Sequence, residues 1–238
     1  MLIEGFRSVR GRPDMAGNET VRDDIRRWGI RRAFAIQLFS RASPRLILSN
    51  VYLRDLTRPT EHRVDPALTY RVLSEDDLAK AREALPSEFP ERFLKDARAR
   101  GDLCIGAYDG SRLAAYVWRA YRVARINDFL IELPAGVRYG YKAYTRPEYR
   151  GRHIQTSLVV AMEHVCLQRG VRKSLSFIDV HNYSSIRSND RREPRWAGRI
   201  LFLRIGGQQR AWLSPAAKRL GIRLTSRAHF AAGEPEST

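Results

Sequence analysis

Tyr144-Thr145-Arg146-Pro147-Glu148-Tyr149-Arg150-Gly151-Arg152-His153-Ile154-Gln155 is the stretch on which the fold turns. An apolar and aromatic run, Val137 to Tyr144, enters it and reads as a strand. Pro147 ends strand pairing and pushes Arg146 away from helical backbone. Gly151 permits positive φ or a close backbone approach. Helical periodicity then starts: Ile154, Leu158, Ala161, Met162 and Val165 share one face of a helix expected over His153 to Arg169. Gly170 stands where a left-handed C-cap belongs. A second strand is expected at Leu175 to His181. The pattern is strand, tight basic turn, helix, strand.

Such a turn suits an anion. The first N–H groups of a helix lack partners within it, and the helix dipole adds about half a positive charge there. No Ser, Asp or Asn occupies the N-cap position to satisfy those donors internally. Arg150 and Arg152 add charge beside them. The competing reading is an ordinary strand–helix turn with solvated arginines.

On these residues the chain resembles the GNAT acyltransferase superfamily, whose cofactor signature runs Pro-x-x-(Arg)-Gly-x-Gly-(Ile/Leu)-Gly. Pro147, Tyr149, Arg150, Gly151, Arg152 and Ile154 match it. His153 and Gln155 stand where that family prefers Gly and Gly or Ala; their backbone donors are retained, and their side chains are expected to crowd the phosphate. Asn182-Tyr183-Ser184-Ser185 resembles the family's Asn-x-x-Ser after its fifth strand. The resemblance covers roughly Leu68 to Leu213. It implies a mixed, mostly antiparallel α/β (α+β) sheet with a central, splayed parallel strand pair and flanking helices. It also implies that backbone N–H groups of the turn hold the pyrophosphate of coenzyme A.

The roles implied are these. Arg150, Gly151, Arg152, His153, Ile154 and Gln155 hold the pyrophosphate. Tyr144 and Thr145 lie on the strand along which the thioester sits. Asn182 caps the following helix and touches the pantetheine arm. Ser185 contacts the cofactor or protonates the leaving thiolate. Glu132, near the end of an expected strand over Ile126 to Leu133, is the candidate base. The acyl donor is acetyl-CoA or another acyl-CoA, with no metal. The acceptor is a small-molecule or peptide amine. Acyl transfer to an amine needs a neutral nucleophile, donors for the carbonyl oxygen and a proton for the thiolate, so no Ser-His-Asp pattern is required.

Composition bounds the alternatives. The 238 residues carry a net charge of +17, with 38 of the 43 basic residues being Arg. The excess is +5 over residues 1–66, +5 over 67–185 and +7 over 186–238. Basicity attracts a polyanionic cofactor, an anionic membrane surface, an acidic acyl carrier protein or nucleic acid. The carrier protein would accompany a long-chain N-acyl transfer like that of an N-acyl amino acid synthase. A non-catalytic nucleic-acid or membrane-surface protein of the same fold is the third reading. No helix-turn-helix, zinc-finger or aromatic RNA-binding signature is present, so strong nucleic-acid binding is not expected. No apolar run approaches the ~20 residues of a spanning helix, and no signal peptide is recognisable. Cys104 and Cys166 stand in apolar surroundings, as buried free thiols of a cytoplasmic protein would.

The order of elements fills in the rest. Residues 1–66 form a basic helical extension and linker, 67–213 the acyltransferase domain and 214–238 a C-terminal extension. Residues 1–19 are expected to be a flexible start. Thr20-x-x-Asp23 resembles a capping box opening one helix to Ser40, weakened by Gly29 and dense in arginine. That helix is expected to pack on its own domain, with weak membrane-surface contact as the second reading. Leu46 to Leu53 reads as a strand and Asp55 to Pro66 as a linker. Thr69 to Leu73 alternates like a strand, and Ser74-x-x-Asp77 caps a helix to Leu85. Pro86-Ser87 opens another helix, which Gly101 ends. Asp109-Gly110 and Gly206-Gly207 mark hairpins. Pro134-Ala135-Gly136 reads as a type I turn. A short helix is expected from Ser214, and Ala231 to Thr238 should fray.

Overall fold

A computed structural model describes residues 17–42, 45–58, 64–126, 129–190 and 194–226. Two helices open the described chain, α1 (Gly17–Trp28) and α2 (Ile30–Ala42), followed by β1 (Leu46–Asp55) and β2 (Thr69–Val72). Next come α3 (Glu75–Ala84), α4 (Glu91–Arg100), β3 (Leu103–Asp109), β4 (Arg112–Ala120), β5 (Val123–Ile126) and β6 (Phe129–Glu132). The quoted stretch joins β7 (Val137–Thr145) to α5 (Ile154–Ala161), which is followed by α6 (Glu163–Gln168) and β8 (Lys173–Asp179). The chain continues through α7 (Tyr183–Asp190), β9 (Arg195–Ile205), β10 (Gln208–Leu213), α8 (Pro215–Lys218) and β11 (Arg223–Ser226).

These elements form two compact units, one of residues 54–124 and 132–176, the other of residues 1–53, 125–131 and 177–238. In the first, β2, β3, β4 and β7 are antiparallel neighbours in that order. β8 lies parallel to β7, with Val137 opposite Lys173 and Tyr139 opposite Leu175. Parallel neighbours need a crossover, and α5 with α6 supplies it. The sheet is therefore mixed and mostly antiparallel, with helices on its faces.

Two large buried clusters flank the sheet of this unit, and Leu56, Cys166 and Val171 form a smaller third. On one face Leu78, Ala81, Phe89, Leu94 and Ala97 pack on Tyr116 and Trp118 of β4. On the other, Ile154, Leu158 and Met162 of the crossover pack on Ile105, Ala107, Ala115 and Val117. Alternate residues of β4 thus face opposite cores, which is why β4 reads as an unbroken apolar run. A fully buried Leu or Phe in either core is worth roughly 1.5–3 kcal/mol.

Local signals explain the boundaries. The Ser74 hydroxyl accepts the Asp77 N–H while Asp77 accepts the Ser74 N–H, a complete capping box on α3. Gly101 closes α4 in left-handed backbone. α4 itself starts at Glu91, later than Pro86-Ser87 implied, leaving Phe89 buried ahead of the helix. The expected helix over His153 to Arg169 comes in two pieces, because the Met162 N–H bonds to Val160 rather than to the fourth residue back. Pro134-Ala135-Gly136 closes with a 3.1 Å bond from the Val137 N–H to Pro134, and φ at Gly136 is +73°. Positive φ at that third position marks a type II turn, not type I. Cys104 and Cys166 are both buried and unpaired, and burial pushes the Cys104 thiol well up.

In the second unit β10, β9 and β1 are consecutive antiparallel strands, β9 and β10 joined at Gly206-Gly207. Positive φ at both glycines suits the tight reversal. Gly198 has φ +128°, and a Cβ there would sit 2.7 Å from the Ala217 backbone nitrogen, so only glycine lets β9 pass α8. The expected single strand over Ile126 to Leu133 is instead divided between β5 and β6, which join β11 in a three-stranded sheet. The expected single helix from Thr20 is also divided. It begins at Gly17, so Thr20 lies inside α1, and it breaks at Gly29 with φ +81°. Of the expected flexible start, residues 1–16 lie outside the described residues, as do Ala231 to Thr238.

Candidate active site

The turn after β7 is held from both sides. The Arg146 N–H extends the ladder to the Ala114 carbonyl at 2.9 Å, and its guanidinium Nε donates to the Leu113 carbonyl at 2.8 Å. Pro147–Tyr149 forms one 3-10 turn, with Pro supplying its preset φ at the start. The Tyr149 ring is buried, and its hydroxyl donates to Asp109 at 2.9 Å, tying the turn to the β3–β4 hairpin. That bond, with burial, raises the Tyr149 hydroxyl pKa.

Beyond Arg150 the backbone twice enters left-handed space, at Gly151 (φ +85°) and His153 (φ +57°). Alternation of this kind curls successive N–H groups into a concavity that favours anions. His153 is the N-cap of α5 and makes no side-chain capping hydrogen bond. The α5 N-terminus is thus left to an acceptor from elsewhere.

The two arginines differ. Arg152 pairs with Asp65 at 2.9 Å and lies over the Tyr149 ring at 5.7 Å. The Ala67 N–H and the Arg152 guanidinium hold the Asp65 carboxyl below its ordinary pKa. Arg150 is exposed and donates a 3.3 Å hydrogen bond to the Thr145 carbonyl. Arg150 is therefore the arginine with the greater reach toward a ligand.

Gln155 does not point its side chain along the turn. Its amide nitrogen donates to the Tyr144 carbonyl at 2.7 Å, to Thr145 Oγ1 at 3.0 Å and to the Tyr116 carbonyl at 3.2 Å. It locks α5 to the end of β7 and the middle of β4. The amide is thus folded back onto the strands. Tyr144 stacks on Tyr116 with ring centroids 5.7 Å apart, and Thr145 pairs with Ala115.

Three features of this unit escape a reading of sequence alone. β7 carries a bulge: Ala143 pairs with Val117 but Tyr141 pairs with Trp118, leaving Lys142 as the extra residue at φ +44°. Bulges re-aim side chains and cluster near active sites. Burial lowers the Lys142 pKa, partly offset by Glu88, and its ammonium lies 4.3 Å from the centre of the Phe93 ring. Tyr116 donates to Glu88, and burial raises the Tyr116 pKa strongly. Tyr141 donates to Asp102 at 2.6 Å, and Arg100 pairs with the same carboxylate. Burial raises the Asp102 pKa against the opposing pull of Tyr141 and Arg100.

The remaining expected site residues are placed as follows. Glu132 ends β6, half-buried, in the three-stranded sheet. Asn182 and Ser185 belong to the second compact unit. Asn182 Oδ1 accepts the Ser185 N–H at 3.1 Å, so Asn182 caps α7 as its sequence implies.

A mixed sheet with one parallel pair, crossed by a helix whose uncapped start follows a basic turn, defines an α+β protein with a candidate anion site at a strand–helix junction. The acetyltransferase (GNAT) family model matches residues 70–188, and the chain belongs to that family. Among curated protein sequences none matches the chain. A solved GCN5-related N-acetyltransferase from Sphaerobacter thermophilus is similar at 19% identity and a TM-score of 0.49, covering 70% of this chain. The chain spans only 54% of that protein's length. A GNAT-family acetyltransferase from Novosphingobium aromaticivorans is similar at 19% identity and a TM-score of 0.45, covering 66% of each chain. The aminoglycoside 6'-N-acetyltransferase AAC(6')-Ih from Acinetobacter baumannii is similar at 20% identity and a TM-score of 0.41, covering 52% of this chain and 88% of its own.

Proposed function

We propose that this protein transfers an acyl group, most simply acetyl, from a coenzyme A thioester to a small-molecule or peptide amine. The observation that carries the reading is the start of α5: uncapped, preceded by Gly151 and His153 in left-handed backbone, and flanked by exposed Arg150. A pyrophosphate fits those donors, and family membership supports coenzyme A as its source. Arg150 would add a charge-assisted contact.

The chemistry asks little of the chain. The amine must lose a proton, its lone pair forms the new C–N bond, the C–S bond breaks, and the departing thiolate takes up a proton. The products are an amide and free coenzyme A. The bulged segment Tyr141 to Thr145 is the proposed bed for the thioester, since an unpaired N–H at a bulge can donate to the carbonyl oxygen as it becomes negative. Glu132 is the proposed base. The cytoplasm is the proposed compartment, supported by the two buried, unpaired cysteines.

Calorimetric titration with coenzyme A tests the turn. Arg150→Ala should weaken binding by about 10- to 100-fold, the loss of one charge-assisted hydrogen bond. Unchanged affinity would remove the turn as the pyrophosphate site. Thiol release from acetyl-CoA over a panel of amines tests the reaction. In that assay Glu132→Gln should lower kcat with coenzyme A affinity intact, and wild-type turnover in this variant would dismiss Glu132 as the base.

A further inference from the structure

The Gly29 break gives α2 two different apolar sides. Phe39 stacks on His181 at 5.6 Å and Arg32 lies over the Tyr183 ring at 5.2 Å, so that side is packed within its own unit. Trp28 of α1 meets Tyr183 as well, at 5.8 Å. The opposite side is open. Ile30, Phe34 and Leu38, one helical turn apart, are 72%, 69% and 54% exposed. They border a trough of about 320 Å³ between α1 and α2, lined also by Val21, Ile25 and Ala33.

Arg31 and Arg41 flank this open row, and Arg41 also lines the trough. Arg22, Arg26, Arg27, Arg31, Arg32 and Arg41 occur on the two helices, and α2 contains no acidic residue. On α1, Asp24 is buried and Asp23 is exposed, against exposed Arg22, Arg26 and Arg27. We propose that the Ile30–Phe34–Leu38 row of α2, with Arg31 and Arg41 beside it, docks the protein on an anionic lipid bilayer, lying in the interface rather than crossing it.

Charge complementarity selects this occupant. A helix with large apolar side chains on one face and arginines at its margins lies in the headgroup region, and anionic lipids reward each cation. A second copy of the chain would bring the same arginines and a net charge of +17 against itself. Nucleic acid would satisfy the charge and leave three large apolar side chains in water. No helix among the described residues is long and apolar enough to cross a membrane. The row therefore supplies a shallow apolar contact.

Co-sedimentation of the full chain with vesicles decides the matter. Vesicles of phosphatidylglycerol and phosphatidylcholine should bind the protein, and phosphatidylcholine alone should bind it far more weakly. The double variant Phe34→Gln, Leu38→Gln should weaken partition by about tenfold or more, since two apolar side chains no longer enter the interface. Its circular dichroism should match the wild type because both side chains are exposed. Arg31→Gln with Arg41→Gln should weaken binding to anionic vesicles and leave the small neutral-vesicle component unchanged. Failure to bind anionic vesicles overturns the proposal. So does binding that the apolar variant leaves intact, which would assign it to overall charge. Concentration-dependent dimerisation abolished by the apolar variant would assign the row to a second copy and equally overturn it.

Discussion

Two helices of the same compact unit begin in opposite ways. α3 closes its own N-terminus: Ser74 and Asp77 exchange side-chain and backbone bonds, and Arg71 pairs with Asp77 at 2.8 Å. α5 begins at His153, in left-handed backbone and without a side-chain cap, after a turn carrying Arg150 and Arg152. Both starts are rigidly placed, α3 by its box and α5 by Tyr149, Arg146 and Gln155. What separates them is where the free donors are satisfied. A helix that caps itself contributes stability; one that is anchored yet lacks a side-chain cap leaves donors open to an outside acceptor. Order and satisfaction are therefore separable, and each can be broken alone.

The largest effect should come from the anchor of α5. Gln155→Glu replaces a donor with a carboxylate facing two carbonyl oxygens, those of Tyr144 and Tyr116. The lost bonds and the repulsion should cost about 3 kcal/mol, toward the upper range for a disrupted buried hydrogen bond. The expelled carboxylate would also compete at the helix start and reduce coenzyme A affinity. Denaturant titration and calorimetry check the two effects. Wild-type stability would show that the amide anchors nothing.

The α3 box should respond in the opposite manner. Ser74→Ala should lower stability by about 1 kcal/mol, as loss of an N-cap does. Coenzyme A affinity should not change. The box also has a pH signature. Burial alone would raise the Asp77 pKa, but the Ser74 donors and Arg71 overcome it and hold it below the ordinary aspartate value. A depressed native pKa means the stabilisation is fully present above the unfolded pKa and disappears as pH falls through the native one. Wild-type stability should therefore drop more steeply on acidification below the ordinary aspartate range than that of Ser74→Ala. Parallel acid profiles would show that Ser74 does not set the Asp77 titration.

The difference between the two starts also marks what a sequence discloses. The Ser74 box, the Asp109-Gly110 and Gly206-Gly207 hairpins and the Gly101 stop were legible because each depends on residues a few positions apart. So was the turn itself, a run of twelve residues whose Pro, Gly and missing cap announce its backbone. The orientation of Gln155 was not, since one of its acceptors lies 39 positions away. Tyr116 meets Glu88 across 28 positions and Tyr141 meets Asp102 across 39, and no local pattern signals either pair. The Lys142 bulge is a property of register with β4 and invisible within β7. The split of Ile126 to Leu133 into β5 and β6, and the strand β11 that joins them, depend equally on remote pairing.

The smallest expected effect falls on the residue that most distinguishes the two starts. His153 holds φ +57° and ψ +22° at the head of α5. Left-handed backbone costs a residue with a Cβ roughly 1–2 kcal/mol, which glycine avoids. Glycine in turn loses about 0.4–1 kcal/mol through the greater freedom of its unfolded chain. The two partly cancel, so His153→Gly should raise stability by about 0–1.5 kcal/mol. The substitution keeps the backbone N–H and removes an exposed ring. If backbone donors make the anion site, coenzyme A should bind His153→Gly as tightly as wild type or a few-fold tighter. A clear fall in affinity would move the contact from the backbone to the imidazole. It would also make the left-handed histidine a ligand-binding residue rather than a strained stand-in for glycine.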